Sequence, residues 1–326
     1  MATTPAASLP PPAAAPTPGI VSFHGRLRAE KARIFGAHGN PVSLAGNSFF
    51  WSQWRGQYYT PEVVRWLKTN WRSTIVRAAL GVKSENSVKP ENSYLQHPAE
   101  NLDRVTRVID AAIAEDIYVI IDWHDHEAHL HTAQAVEFFT GMARRYGHQP
   151  HVIYEIFNEP LKVSWKIVKD YAEEVIGAIR AIDAENLIIV GSPHWSQDVD
   201  IAAADPVKGA NIAYSLHFYA GTHKQTLRNK AMKAMELGAA LFVTEWGACN
   251  ADGNGPIDHV SVKHWMAFMR EYQLSHCVWS VSDKKETASI ITPAASPEGS
   301  WKDADLTESG LYARHYIRNW PGDVAP

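Results

Sequence analysis

Short apolar, β-branched runs recur along the chain, at residues 42–48, 73–80, 117–123, 152–158, 187–192, 212–218, 241–246 and 277–282. Runs of this length bounded by turn residues read as strands, and their near-continuous hydrophobicity suits strands buried on both faces. Between them the period changes to that of a helix. Residues 100–114 place Leu102, Val105, Val108, Ile109, Ala112 and Ile113 on one stripe. Residues 61–69 follow Thr60 with a proline at the helix start. Residues 132–146, 164–182, 224–237 and 256–272 carry similar stripes. Strands alternating with helices predict a parallel sheet. Eight such units in roughly 300 residues fit a closed (β/α)8 TIM barrel of the α/β class better than an open doubly wound sheet. Residues 24–34, ahead of the first strand, are expected to form a short hairpin across the bottom.

Residues 1–19, MATTPAASLPPPAAAPTPG, break this pattern. They hold no charge and almost no large apolar side chain, so they read as a disordered linker-like segment. They lack the basic start and apolar stretch of a signal peptide. Residues 20–326 have uniform composition and read as one domain, with a signal or another module expected upstream of the linker. The 326 residues are 45% hydrophobic and 20% charged, which excludes disorder throughout. No run of about 18 apolar residues occurs, so no membrane span is expected. A net charge of −4 argues against a nucleic-acid binder working through a basic patch. Cys249 and Cys277 allow at most one bridge. A buried free thiol is the default for Cys277, with a Cys249–Cys277 bridge as the alternative.

The chemistry concentrates where strands end, which on a barrel is the carboxyl face that carries function. The second run holds Arg77. The third ends Asp122-Trp123-His124, the fourth Asn158-Glu159, the sixth His217-Phe218-Tyr219 and the seventh Glu245-Trp246. The fifth leads to His194-Trp195, and the eighth holds Trp279 before Asp283-Lys284. Glu159 and Glu245 would face each other across one cleft, as a glycosidic bond requires of a proton donor and a nucleophile or base. Arg77 and Tyr219 are expected to hold Glu245 ionised, and the charge of Glu245 to raise the pKa of Glu159. Glu155, deeper in its strand, reads as a buried partner for a barrel cation.

These residues carry a resemblance. VIYEIFNEP (152–160), LFVTEWG (241–247), IDWH (121–124), VRAA (76–79), HFYA (217–220), WSQD (195–198), WSVSDK (279–284) and GNSFFW (46–51) together resemble the bacterial endo-β-1,4-glucanases of glycoside hydrolase family 5. The resemblance implies a retaining endoglucanase with Glu159 as acid/base and Glu245 as nucleophile, and Arg77, His124, Asn158, His217, Tyr219 and Trp279 around them. It implies no cofactor and a polymeric β-glucan as partner. One position departs: many relatives carry His where this chain has Phe50, so an aromatic wall is expected there.

A β-1,4-glucan ribbon has apolar faces and hydroxylated edges. Its faces suit some of the 12 Trp. Trp279 is expected to floor the cleavage subsite, Trp195 and Trp51 to serve as neighbouring platforms, and Asn158 and Lys284 to reach hydroxyls. Trp54, Trp66 and Trp71 are expected to pack. Cellulose, lichenan, xylan and mannan are not distinguished by the residues. The polymeric substrate and the linker imply a secreted protein. A rival reading starts from Asp122–His131, with four His and three acids, which suits a metal such as zinc. The other strand ends supply no matching ligand cluster. A sugar-binding module without catalysis would not need both glutamates.

Overall fold

The computed structural model describes residues 19–83 and 92–320. The linker expected over residues 1–19 lies, apart from Gly19, outside the described residues. Eight parallel strands close into a barrel: β1 (Ala45–Phe49), β2 (Ile75–Gly81), β3 (Tyr118–His124), β4 (Val152–Glu155), β5 (Ile188–Val190), β6 (Ile212–Tyr219), β7 (Leu241–Gly247) and β8 (His276–Val281). β8 closes onto β1 by pairing Cys277 with Gly46 and Trp279 with Ser48. The helices that follow the strands are α1 (Pro61–Trp71), α2 (Pro98–Ala114), α3 (Thr132–Tyr146), α4 (Trp165–Arg180), α5 (Val199–Ala204), α6 (Gln225–Glu236), α7 (His259–Glu271) and α8 (Glu308–Arg318). None is long and apolar enough to cross a membrane.

Side chains alternate across each strand. On β2, Val76, Ala78 and Leu80 turn outward and join Val63, Val64 and Leu67 of α1 in the main core. The inward positions form three storeys. Ile75, Tyr118, Ile120, Ile153, Ile189, Phe242 and Cys277 fill the lower interior. Above this plug, Arg77, Asp122, Glu155, Ser215 and Thr244 are fully buried. Higher still, Phe50, Trp51, Ala79, Tyr219 and Trp279 form an aromatic rim.

Local chemistry sets the helix starts. Thr60 accepts from the Val63 amide at 3.3 Å, Asp258 from Ser261 at 2.9 Å and Thr307 from Gly310 at 3.0 Å. The expected hairpin is present as Arg28–Glu30 paired with Arg33–Phe35, preceded by a short helix Ile20–His24. Val21, Leu27 and Ile34 from this region seal the bottom plug.

Three details differ from the sequence reading. β4 stops at Glu155, so Asn158 and Glu159 stand on the loop beyond it. Their amides are tied back to β3 and its loop, Asn158 to the Trp123 carbonyl at 3.3 Å and Glu159 to that of Asp125 at 3.5 Å. The pattern did not reveal α5 or α8: α5 spans only six residues, and α8 is polar over most of its length. Both cysteines are buried and free, so the bridge does not form.

Gly46 is fixed by packing. A Cβ there would sit 1.7 Å from the Ile75 carbonyl oxygen. Gly141 in α3 has nothing within 4 Å of the same position. Gly46→Ala is therefore expected to destabilise by about 1–3 kcal/mol or more by forcing β1 from β2. Gly141→Ala should stabilise by about 0.5–1 kcal/mol through helix entropy. Urea unfolding of both variants reads the opposite signs.

Candidate active site

Arg77 is the centre of the polar storey. Its Nε donates to Glu155 Oε2 at 2.6 Å, one terminal nitrogen to Glu245 Oε2 and Ser48 Oγ, each at 3.2 Å, and the other to Asn158 Oδ1 at 2.6 Å. That last nitrogen also pairs with Asp122 Oδ2 at 3.0 Å. One guanidinium thus meets carboxylates from β3, β4 and β7. Burial opposes its charge, but Asp122, Glu155 and Glu245 push its pKa up further. Glu155 is the buried cation partner anticipated from its depth. Burial works against its ionisation, yet Arg77 and His217 hold it down at about 2. Asp122 is raised by burial beyond what Arg77 offsets.

Glu245 accepts from Arg77 on Oε2 and from the Tyr219 hydroxyl on Oε1 at 2.7 Å, as the sequence suggested. Burial, and then the charge of Glu159, lift its pKa, while His217, Arg77 and Tyr219 pull the other way. Glu159 stands across the cleft. His217 Nδ1 lies 2.8 Å from its Oε1, and His126 Nε2 lies 3.3 Å from its Oε2. Ligand-capable atoms of Glu159, His217 and Glu245 all lie within 4.8 Å of one another.

The protonation of His217 follows from its neighbours. Its Nε2 lies 2.7 Å from Thr244 Oγ1, whose own proton goes to Glu155 Oε1 at 2.6 Å. The imidazole therefore donates from both nitrogens and is cationic. Burial lowers its pKa, but the bonds to Glu155 and Glu159 raise it to about 9. The expectation that Glu159 is held protonated by Glu245 is corrected here. Burial does favour its neutral form, but hydrogen bonds from His126 and His217 bring it down to about 2 among the protein's own groups. Two imidazoles outweigh one neighbouring carboxylate.

His124 Nδ1 is held by Asp122 at 2.6 Å, leaving Nε2 3.5 Å from the Asn158 amide nitrogen. Trp279 lies parallel to His124, 3° between planes and 5.1 Å between centroids, and 5.2 Å from Phe50. The peptide bond after Trp279 is cis. Trp51 meets His124 edge-on at 4.3 Å. Lys284 sits over Phe50 at 5.4 Å and pairs with Glu286 at 2.5 Å. Trp66 and Trp71 pack in the core as expected. Trp54 does not: it lies 5.0 Å from Trp51 and lines the cleft beside Phe50, because β1 ends before it and its short helix runs along the rim.

Trp195 is placed by an unusual backbone. His194, Trp195 and Ser196 have φ of 56°, 57° and 56°, a left-handed turn without glycine. The Trp195 amide donates to the Pro160 carbonyl at 2.9 Å, and Ser196 Oγ to that of Asn158 at 2.7 Å. The indole stands 36% exposed with Lys162 5.7 Å above its ring. A cavity of about 550 Å³ runs from Glu159 and Glu245 past Tyr219 to Trp195. A second, of about 200 Å³, shares Glu159, Glu245 and Tyr219 and runs past Trp279 to Trp54 and Lys284, and a third, of about 410 Å³, is lined by both Trp51 and Trp195. A cavity of about 570 Å³ between α1 and α8, among Arg72, Arg314 and Arg318, is remote from this mouth and holds no paired acids.

Sequence reasoning missed His126 as a contact of Glu159. It had been grouped with the His-rich segment, which the structure disperses. Asp122 takes His124, Asp125 takes His131 at 2.7 Å, and His129 faces Phe157 at 6.2 Å. The three donors Glu159, His217 and Glu245 are the group among the described residues with metal-like spacing, but a doubly donating imidazole has no lone pair to offer.

Buried pairs of this kind make stability depend on pH. His217, raised to about 9 from 6.5, contributes stability that is complete below pH 6.5 and lost as pH rises through about 9. Glu155, lowered to about 2 from 4.5, contributes stability present above pH 4.5 and lost as pH falls toward about 2. Chemical denaturation across pH should show both slopes. His217→Gln should flatten the alkaline one, and Glu155→Gln the acid one.

Comparison with known proteins places this geometry. The family model described as Cellulase (glycosyl hydrolase family 5) matches residues 35–285. Endoglucanase Z of Dickeya dadantii is 52% identical over 283 residues, 86% of this chain and 63% of that protein. An endoglucanase of Clostridium saccharobutylicum is 39% identical, over 91% of this chain and 66% of that protein. The chain thus spans about two thirds of the length of these relatives. A solved structure from Cytophaga hutchinsonii superposes with a TM-score of 0.90 at 48% identity, covering 94% of this chain and 99% of the other. The catalytic domain of Thermobifida fusca endoglucanase Cel5A gives 0.85 at 32% identity, covering 91% and 99%. With its closed barrel and its paired glutamates, one on the loop beyond β4 and one near the end of β7, the chain belongs to the cellulases of glycosyl hydrolase family 5.

Proposed function

We propose that the chain is an endo-acting, retaining β-1,4-glucanase that cleaves internal bonds of cellulose and related soluble β-glucans without a cofactor. The observation that carries this reading is the pair Glu159 and Glu245. Their nearest oxygens lie within 4.8 Å, in unlike surroundings. That spacing is shorter than the roughly 6.5–9.5 Å of inverting pairs and suits direct attack by one carboxylate.

Glu245 is the nucleophile, with one oxygen fixed by Arg77 and the other by Tyr219. It attacks the anomeric carbon as Glu159 protonates the departing oxygen, forming a glycosyl ester. Glu159 then takes a proton from water, which attacks the same carbon and frees Glu245. A sugar laid over Glu159 removes its remaining 13% exposure, and that desolvation favours the protonated acid. Asn158, oriented by Arg77, turns its amide toward the cleft for a sugar hydroxyl. His124 does the same with Nε2. Trp279 floors the cleavage subsite, Trp54 and Lys284 extend it along one cavity and Trp195 along another, with Trp51 lining the space that Trp195 also lines. Cavities running from the pair toward both Trp195 and Trp54 suit a chain bound in its middle, hence internal cleavage. The Cel5A relative has been solved with cellotetraose, a ligand of this shape. A polymer substrate places the reaction outside the cell, with residues 1–19 as tether to a carbohydrate-binding or anchoring module.

Azide separates the two glutamates. On an activated β-cellobioside, Glu245→Ala should lose at least about 10²–10⁴-fold and be rescued by azide as the α-glycosyl azide. Glu159→Ala should still form its ester and give the β-glycosyl azide. Proton NMR couplings distinguish the products, and the reverse pattern would exchange the roles. Viscosity of a soluble β-1,4-glucan should fall well before reducing ends accumulate. Trp279→Ala should cost about 1 kcal/mol or more in kcat/KM on cello-oligosaccharides, whereas Trp66→Ala should lower Tm instead.

A further inference from the structure

The two oxygens of Glu159 are held by different imidazoles. Oε1 faces the cationic His217, which is 2% exposed and locked to Thr244 behind it. That oxygen has a permanent partner. A general acid needs its other oxygen free to meet the scissile bond, and here that is Oε2. His126 Nε2 reaches it at 3.3 Å from a side chain still 20% exposed, standing edge-on to Trp51 at 5.7 Å. His126 arrives from the loop beyond β3, so it stands apart from the Arg77 network.

We propose that His126 is a positioning residue: it grips the oxygen of Glu159 that exchanges the proton with the glycosidic bond, and so tunes Glu159 as acid and as base. This rests on the glucanase reading above. The balance is simple. With Glu159 ionised, His126 Nε2–H donates to Oε2. With Glu159 protonated, the Oε2 proton goes to the leaving oxygen as the glycosidic bond breaks, and a proton from water returns to Oε2 when the ester is hydrolysed. His126 supplies orientation and partial neutralisation in both states and keeps its own bonds. The bond from His126 is the foremost of the effects that draw Glu159 down against its burial. Among the described residues, the other ionisable groups around this pair include His217, Tyr219 and His223 at and beyond the end of β6, Glu245 from β7, His124 from β3, Asp125 and Glu127 with Lys83 across the neighbouring loop, and Asp252. All remain when His126 alone is changed.

Two substitutions separate the hydrogen bond from ring packing. His126→Phe keeps a ring against Trp51 and loses the N–H. His126→Gln keeps an N–H and loses the ring. If the bond matters, His126→Phe should lose about 10-fold or more in kcat/KM on cellotetraose, whose leaving group needs the acid. On dinitrophenyl β-cellobioside, which needs none, it should stay within about threefold. The basic limb of its kcat/KM profile should move up by about one pH unit, because Glu159 then holds its proton more tightly. His126→Gln should keep most of the cellotetraose rate and the limb near its place. Equal loss on both substrates, an unmoved limb in His126→Phe, or a better enzyme in His126→Phe than in His126→Gln would overturn the proposal and leave His126 as packing for Trp51. A wild-type enzyme inert on both substrates would instead defeat the glucanase reading, and this proposal with it.

Discussion

Carrying Asp122, Glu155 and Glu245 out of water into one barrel is costly for each carboxyl group, by several kcal/mol before any partner is met. The Arg77 guanidinium makes it possible. Its planar fork reaches all three acids and Asn158 at once, with no atom exposed. A lysine, with one point of charge, could not address four acceptors in one plane. The apolar plug below it serves the same end, since it fixes β2 while shutting water out from beneath.

From this anchor the charges are passed outward in a chain. Arg77 settles Glu155, Glu155 takes the protons of Ser215 and Thr244, and Thr244 accepts from His217. His217 then faces Glu159. The two glutamates of the cleft are thus tied to one network from opposite ends, Glu245 directly and Glu159 through His217. Their titrations belong to the cluster rather than to either residue. A change deep in β4 or β7 is therefore felt at the mouth, although nothing there moves.

The barrel was legible because its strands are apolar on both faces and its helices are not. The paired glutamates of the cleft were legible because they stand where apolar runs stop. Other features rest on tertiary geometry that no local pattern carries. β4 stops at Glu155, and tethers from Asn158 and Glu159 to the β3 side replace the expected strand. His126 looked like one member of a metal-like segment, since spacing alone cannot say which acid each imidazole meets. Trp54 looked like a helix-packing residue because the break after β1 has no glycine or proline to mark it. The left-handed turn at His194, Trp195 and Ser196 was equally silent, because Pro193 before it marks a turn without giving its hand.

That turn has a consequence for how the indole is held. Left-handed backbone costs roughly 1–2 kcal/mol per ordinary residue, and three in succession are retained under Trp195. The strain lies beside the cleft, and Ser196 at its end is fully buried and donates its hydroxyl to the Asn158 carbonyl. A glycine at His194 would release part of it and leave the Ser196 bond to Asn158 in place, while letting the indole sway. Backbone ease and the fixed pose of the indole are therefore traded in this loop, and a single substitution there shifts one against the other.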